Sequence, residues 1–226
     1  MRAGTWRKIL CGVAASVVAT STAATAWAHF FFVAPAEDQR SAVVVFGEDT
    51  IPDLDVPAEK VTLAGRDASG HESPLSLTPG DKVLHVKLPT GTTLIHGRVD
   101  YGIVQRGEHD PFLLYYHPKA TLGAPTGQAT LGDDAIVELV ATPTDGGVKF
   151  RFLSKGQPLA DASVTVIEPN YKEDKYATDA EGYTRVFADK GRYTVWAGHT
   201  LDEAGEFDGK PYKQIKHYAT LVVDAP

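Results

Sequence analysis

Cysteine is almost missing from this 226-residue chain, and the single one, Cys11, lies within the first 28 residues. Beyond that point no disulfide can staple the fold and no thiolate can hold a metal, so stability must come from core burial and any metal must use nitrogen and oxygen ligands. Long apolar runs are also scarce. The one from Ile9 to Ala24 carries Ser16, Thr20, Ser21 and Thr22, is short for a membrane span, and is followed by no second run of about 18 residues. No amphipathic helix of ordinary length is legible. Positive charge is in deficit, with 22 basic against 29 acidic side chains and a formal charge of −7. Without the first 28 residues, which hold Arg2, Arg7 and Lys8 and no acid, it falls to −10. That balance argues against nucleic acid and anionic membrane surfaces as partners. Gly-x-Ser-x-Gly, His-Glu-x-x-His, a phosphate loop and a catalytic cysteine are all absent, which leaves hydrolytic chemistry without support.

What is present begins with a leader. The basic start, the short apolar stretch and the small residues of Ala26-Trp27-Ala28 read as a secretory signal peptide over 1–28, cleaved after Ala28. The expected product is a periplasmic or secreted protein with no stable membrane insertion, and its first residue is His29. Cys11 precedes the apolar segment instead of following it, which is a poor match to a lipoprotein signal.

The remainder is rich in Val, Thr, Tyr, Phe, Gly and Pro, with short apolar runs separated by turn clusters such as Thr78-Pro79-Gly80-Asp81. The pattern predicts an all-β fold. Strands are expected over 41–46, 60–65, 82–88, 94–105 and 111–117, then 148–153, 162–168, 183–188, 191–198 and 215–223. In the third of these, Leu84, Val86 and Leu88 alternate with Val83, His85 and Lys87, which sends His85 to solvent. The run Thr142-Pro143-Thr144-Asp145-Gly146-Gly147 is the best domain boundary. It divides the chain into an N-terminal β domain over 29–142 and a C-terminal one over 147–226, two packed β-sandwich-like domains.

The C-terminal half carries Pro158-Leu159-Ala160-Asp161-Ala162-Ser163-Val164, then Thr178-Asp179-Ala180-Glu181-Gly182-Tyr183, then Gly191-Arg192-Tyr193-Thr194-Val195. This series resembles a transthyretin-like or carboxypeptidase-regulatory β-sandwich, in which the Thr-Asp-x-x-Gly segment makes a hairpin turn. Asp179 suits such a turn through its side chain and Gly182 through its tolerance of positive φ. A wider resemblance runs from Ala28-His29-Phe30-Phe31-Phe32-Val33 through Leu114-Tyr115-Tyr116-His117-Pro118-Lys119 to His217-Tyr218-Ala219-Thr220-Leu221. It is to an exported β-protein family whose members are described as periplasmic components of nickel or cobalt uptake. The resemblance implies nickel or cobalt as the cargo and a membrane metal-uptake transporter as the partner.

The residues themselves point to nitrogen ligation. A chain starting at His29 offers an α-amine, of unperturbed pKa roughly 7.7–8.0, together with an imidazole, so a metal displaces little more than one proton near neutrality. His199 and His217 bracket the long connection 200–212, and if their strands pair as a hairpin both imidazoles reach one face. That connection supplies Glu203 and Glu206 as further oxygen ligands or acceptors for imidazole N–H groups, with Asp202 and Asp208 beside them. His96 and His117 are weaker candidates, and His71, His85 and His109 weaker still. The acidic loop of Asp49, Asp53 and Asp55 lacks a calcium-loop pattern and reads as solvated. Phe30-Phe31-Phe32 reads as core that fixes where His29 sits.

The expected function is therefore binding of a divalent transition metal through His29, His199 and His217, in support of uptake or delivery. The ligand class also suits copper and zinc, with copper favoured by intrinsic affinity. Two alternatives stand beside it: a copper carrier or copper-dependent oxidative enzyme built on the N-terminal histidine, and a metal-free adhesion or scaffold module. No catalytic residue is assigned, and the protein is read as a non-enzyme.

Overall fold

The computed structural model describes residues 29–123 and 129–226; the leader reading falls on 1–28, outside the described residues. The described chain is all-β. Its strands in order are β1 (Phe30–Pro35), β2 (Ser41–Gly47), β3 (Val61–Asp67), β4 (Glu72–Pro74), β5 (Leu77–Pro79), β6 (Val83–Lys87), β7 (Thr92–Val104), β8 (Phe112–Thr121) and β9 (Glu138–Thr144). There follow β10 (Gly147–Ser154), β11 (Gln157–Pro158), β12 (Ser163–Ile167), β13 (Glu173–Ala177), β14 (Gly191–Leu201), β15 (Gly205–Phe207), β16 (Lys210–Tyr212) and β17 (Gln214–Ala225). Among the described residues there is no α-helix, and no helix long and apolar enough to cross a membrane.

An eight-stranded sheet in the order β13-β12-β14-β17-β8-β7-β3-β4 runs through both halves of the sequence. The seam is β17, antiparallel to β14 and parallel to β8. Its residues alternate between two cores. Val222 joins the first, with Phe30–Val33 of β1, Val44 and Val45 of β2, Leu84 and Val86 of β6, and Leu114 and Tyr116 of β8. Ala219, Leu221 and Val223 join the second, with Leu139 and Ala141 of β9, Phe150 and Phe152 of β10, and Tyr193, Val195 and Ala197 of β14. A strand buried on both faces has to be apolar at nearly every position, and Ala219-Thr220-Leu221-Val222-Val223 is.

The four-stranded sheet β1-β2-β6-β5 covers one face of the large sheet, and the three-stranded sheet β11-β10-β9 covers the other. All three phenylalanines of β1 are buried: Phe30 stacks on Trp196 at 4.1 Å and Phe31 on Phe46 at 4.1 Å. Although β1 is an edge strand, the carbonyl of Phe31 accepts a buried hydrogen bond from Thr220 Oγ1 at 2.6 Å. β17 thus also ties β1 to the large sheet.

The alternation expected at Val83–Leu88 is present, with Leu84, Val86 and Leu88 buried and His85 exposed. The Thr178–Tyr183 turn forms as its residues require: Asp179 Oδ1 accepts from the N–H groups of Glu181 and Tyr183 at 3.0 and 2.8 Å, and Gly182 takes φ +79°. The Thr142–Gly147 run is the turn of the β9–β10 hairpin, and both of these strands contribute to the second core. Residues 183–188, read as a strand, pair with β10 only through isolated bridges at Tyr183 and Phe187. Phe150 N–H donates to the Thr184 hydroxyl instead of a carbonyl, and one more residue separates Thr184 from Phe187 than separates Phe150 from Val148. The segment is therefore out of step with a regular ladder.

A buried ion pair ties β8 to β9. Lys119 Nζ donates to Glu138 Oε2 at 2.6 Å, and Glu138 also accepts from Thr130 Oγ1 and the N–H groups of Leu131 and Gly132. Burial pushes the Glu138 carboxyl up, but the Lys119 charge and these donors outweigh it and hold it below its ordinary value. Burial pulls Lys119 down, and Glu138 restores only part of that. Replacing Glu138 by Ala strands a buried ammonium and should cost about 3–5 kcal/mol, whereas Lys119→Met leaves the carboxylate three donors and should cost less. Urea denaturation of the two variants checks the order; equal losses or the reverse order would contradict it.

Candidate functional site

On the second-core face of the large sheet, β14 and β17 place His199 directly opposite His217. The parallel pairing of β17 with β8 then sets Tyr115 opposite His217 and His117 opposite Ala219. Strand parity puts Tyr115 and His117 on the face that carries His217. The result is a row of imidazoles crossing three adjacent strands. His117 Nε2 and His217 Nδ1 are 3.0 Å apart, with ring centroids at 5.2 Å. The Tyr115 ring lies nearly parallel to His217 at 5.4 Å and 13°, and the Arg98 guanidinium sits 5.5 Å above Tyr115. A bulge in β7, where the register passes from Asp100↔Tyr115 to Gly102↔Leu114, leaves Tyr101 without a partner, and Gly102 takes φ +101° to allow it.

Burial governs the protonation of the row. His217 is 3% exposed, and burial, followed by the nearby His199, Arg98 and Lys155, pushes it down to about 4. Burial and then His217 push His117 down to about 3, and burial alone lowers His199. The imidazoles are therefore neutral at pH 7, and the contact between His117 and His217 is a single N–H to lone-pair hydrogen bond whose direction is set by tautomer. Neutral imidazole is also the ligating form. Two nitrogens held at about 2.0–2.1 Å from one ion at angles between square and tetrahedral stand roughly 3 Å apart, the separation already present here.

The other expected residues fall elsewhere. His29 is on the opposite, first-core side: its carbonyl accepts from Tyr116 Oη at 3.3 Å and its ring meets Phe46 edge-on at 5.7 Å. Its Nε2 is 2.5 Å from Asp53 Oδ2. His29 therefore does not share a site with His199 and His217, and the loop that reads as solvated holds its partner. Glu203 and Glu206 are exposed, the latter on the small β15–β16 ribbon, and neither bonds a histidine among the described residues. Asp202 accepts from Gln214 Nε2 at 2.8 Å. His96 pairs with Glu72 at 3.0 Å, and burial lowers it. Among the described residues no three His, Cys, Asp or Glu side chains converge on one point as a metal-ion group; His117 and His217 touch, and His199 stands across from them. A cavity of about 340 Å³ adjoins the row, with His117, His96, Arg98 and Lys119 in its wall.

No family model and no curated protein matches the chain. Among solved structures it is similar to a two-domain fibronectin type-III segment of chicken tenascin, at 11% identity and TM-score 0.22, over 84% of this chain and 97% of that one. It is also similar to a structure concerned with host cell-surface retention of a 1.5-MDa bacterial ice-binding adhesin, at 14% identity and TM-score 0.23, over 87% of this chain and 64% of that one. Scores this low carry no argument about function.

Because the row is depressed in the folded state, the unfolded chain binds more protons between the folded values and about 6.5, so stability is complete above pH 6.5 and is lost as pH falls toward 4. Between pH 7 and pH 5, His117 and His217 together should cost about 4 kcal/mol of unfolding free energy. Urea denaturation at the two pH values measures this. The slope should flatten in a His117→Gln, His217→Gln double variant, and a wild type whose stability is the same at both pH values would contradict it.

Proposed function

We propose that the protein binds a divalent transition metal ion at the histidine row, as an exported carrier that supports metal uptake or delivery. The observation that carries this reading is the contact of His117 Nε2 with His217 Nδ1 at 3.0 Å between two neutral imidazoles. An ion entering between them moves the bridging proton to the far nitrogen of the donating ring, so that both imidazoles stay neutral and ligate with little movement. His199, partly exposed and without a side-chain hydrogen bond among the described residues, turns in as the third. Tyr115, stacked on His217, fixes the ring plane.

Three neutral nitrogen donors suit nickel, cobalt, copper and zinc, and exclude calcium and magnesium, which need oxygen. The resemblance read in the sequence favours nickel or cobalt as cargo and a membrane transporter as the recipient. The first residue of the exported chain, His29, is no part of this site.

A ligand that binds only the folded state raises its stability, by about 2.7 kcal/mol at a free concentration one hundred times Kd. Thermal denaturation with nickel, cobalt, copper and zinc should show such a rise. Titration calorimetry should find that His199→Ala weakens one equivalent tenfold or more, with the metal-free protein as stable as wild type within about 0.5 kcal/mol. His117→Ala should abolish that equivalent. Metal titrations indistinguishable between wild type and His117→Ala would refute the reading.

A further inference from the structure

We propose a second transition-metal site at His29, on the other side of the large sheet, built from the α-amine and Nδ1 of His29 and oriented by Asp53. It goes beyond the histidine row and does not depend on it.

The geometry selects the ring nitrogen. His29 Nε2 lies 2.5 Å from Asp53 Oδ2, so Nε2 keeps its proton and donates it to the carboxylate, which leaves the lone pair on Nδ1. Nδ1 has no hydrogen-bond partner among the described residues and is the nitrogen nearer the backbone. An ion held by the amine and Nδ1 of one residue closes a six-membered ring, and a carboxylate on the far nitrogen is the usual support of a metal-bound imidazole.

The residue is also held in place before any metal arrives. Its side chain is 19% exposed, its ring packs on Phe46, its carbonyl is bound by Tyr116, and Phe30 beyond it is buried against Trp196. Asp53 lines a cavity of about 300 Å³ whose wall also contains Glu48 and Asp49. His29 is not in that wall, so the amine and Nδ1 of His29 carry the site by themselves. An amine with an imidazole is a strong-field nitrogen pair, and along the first-row series copper(II) takes it most tightly.

The amine exists only in a chain that begins at His29, so the proposal fixes a processing site as well. The test starts from the full 226-residue chain exported by a bacterial host, with the first residue of the product read by mass spectrometry. His29 is expected there; any other first residue overturns the proposal. Copper(II) is then titrated and followed by electron paramagnetic resonance. The equivalent that shows nitrogen couplings from this site should persist in His117→Ala and weaken at least a hundredfold in His29→Ala. It should weaken about tenfold to a hundredfold in Asp53→Asn. A product carrying one extra residue before His29 keeps the imidazole and should lose the same affinity, which separates loss of the chelate from loss of fold. Copper(II) affinity unchanged in His29→Ala or in the extended chain would overturn it. Loss in His117→Ala alone would support the histidine row and reject this site.

Discussion

Everything in this molecule hangs on where the last strand goes. β17 is inserted between β14, its antiparallel hairpin partner, and β8, a parallel neighbour from the other half of the sequence. A parallel neighbour needs a long connection, and here it spans most of the C-terminal half of the chain, so this contact has a large loop-closure cost that the two cores must offset. They do so because β17 is apolar on both faces. Tyr218, Thr220 and Val222 meet β1 and β8, while Ala219, Leu221 and Val223 meet β9, β10 and β14. Neither core is complete without the C-terminal strand, which makes the two halves one cooperative sheet sharing a seam.

The same pairing creates the site. β14 and β17 alone set His199 against His217; the parallel partner adds Tyr115 and His117. Burial at the seam strips the imidazoles of charge, and a neutral, close-set pair is a poor proton carrier at pH 7 and a ready nitrogen donor set. Where the sheet must bury formal charge, at Lys119 and Glu138, it surrounds the carboxylate with four donors instead. The two solutions lie along one strand: β8 carries His117 in a neutral contact and Lys119 in an ionic one two residues later.

Much of the fold is legible in the residues. The period-two pattern at Val83–Leu88, the continuous apolar run at Ala219–Val223 and the Asp179–Gly182 turn each report a local constraint, and each appears in the structure. The opposition of His199 and His217 follows from reading the two strands as a hairpin. What escapes is non-local. Nothing near Tyr115-Tyr116-His117-Pro118 says that β8 will lie parallel to a strand a hundred residues on, so His117 ranks low although it is the residue that touches His217. The same holds for Asp53, a plain member of an acidic loop until the start of β1 brings His29 to it. The expectation that His29 joins His199 and His217 fails for a related reason: the phenylalanines after it must be buried, and the core that takes them is on the opposite face.

The central claim is that a parallel strand pair assembles a transition-metal site from His117 and His217. The most direct measurement is an anomalous difference map at the nickel absorption edge, from crystals grown with one equivalent of nickel. The account predicts a peak between His117 Nε2 and His217 Nδ1, about 2 Å from each, with His199 turned toward it. A map with no peak there, and the two imidazoles still hydrogen-bonded to each other, would contradict it.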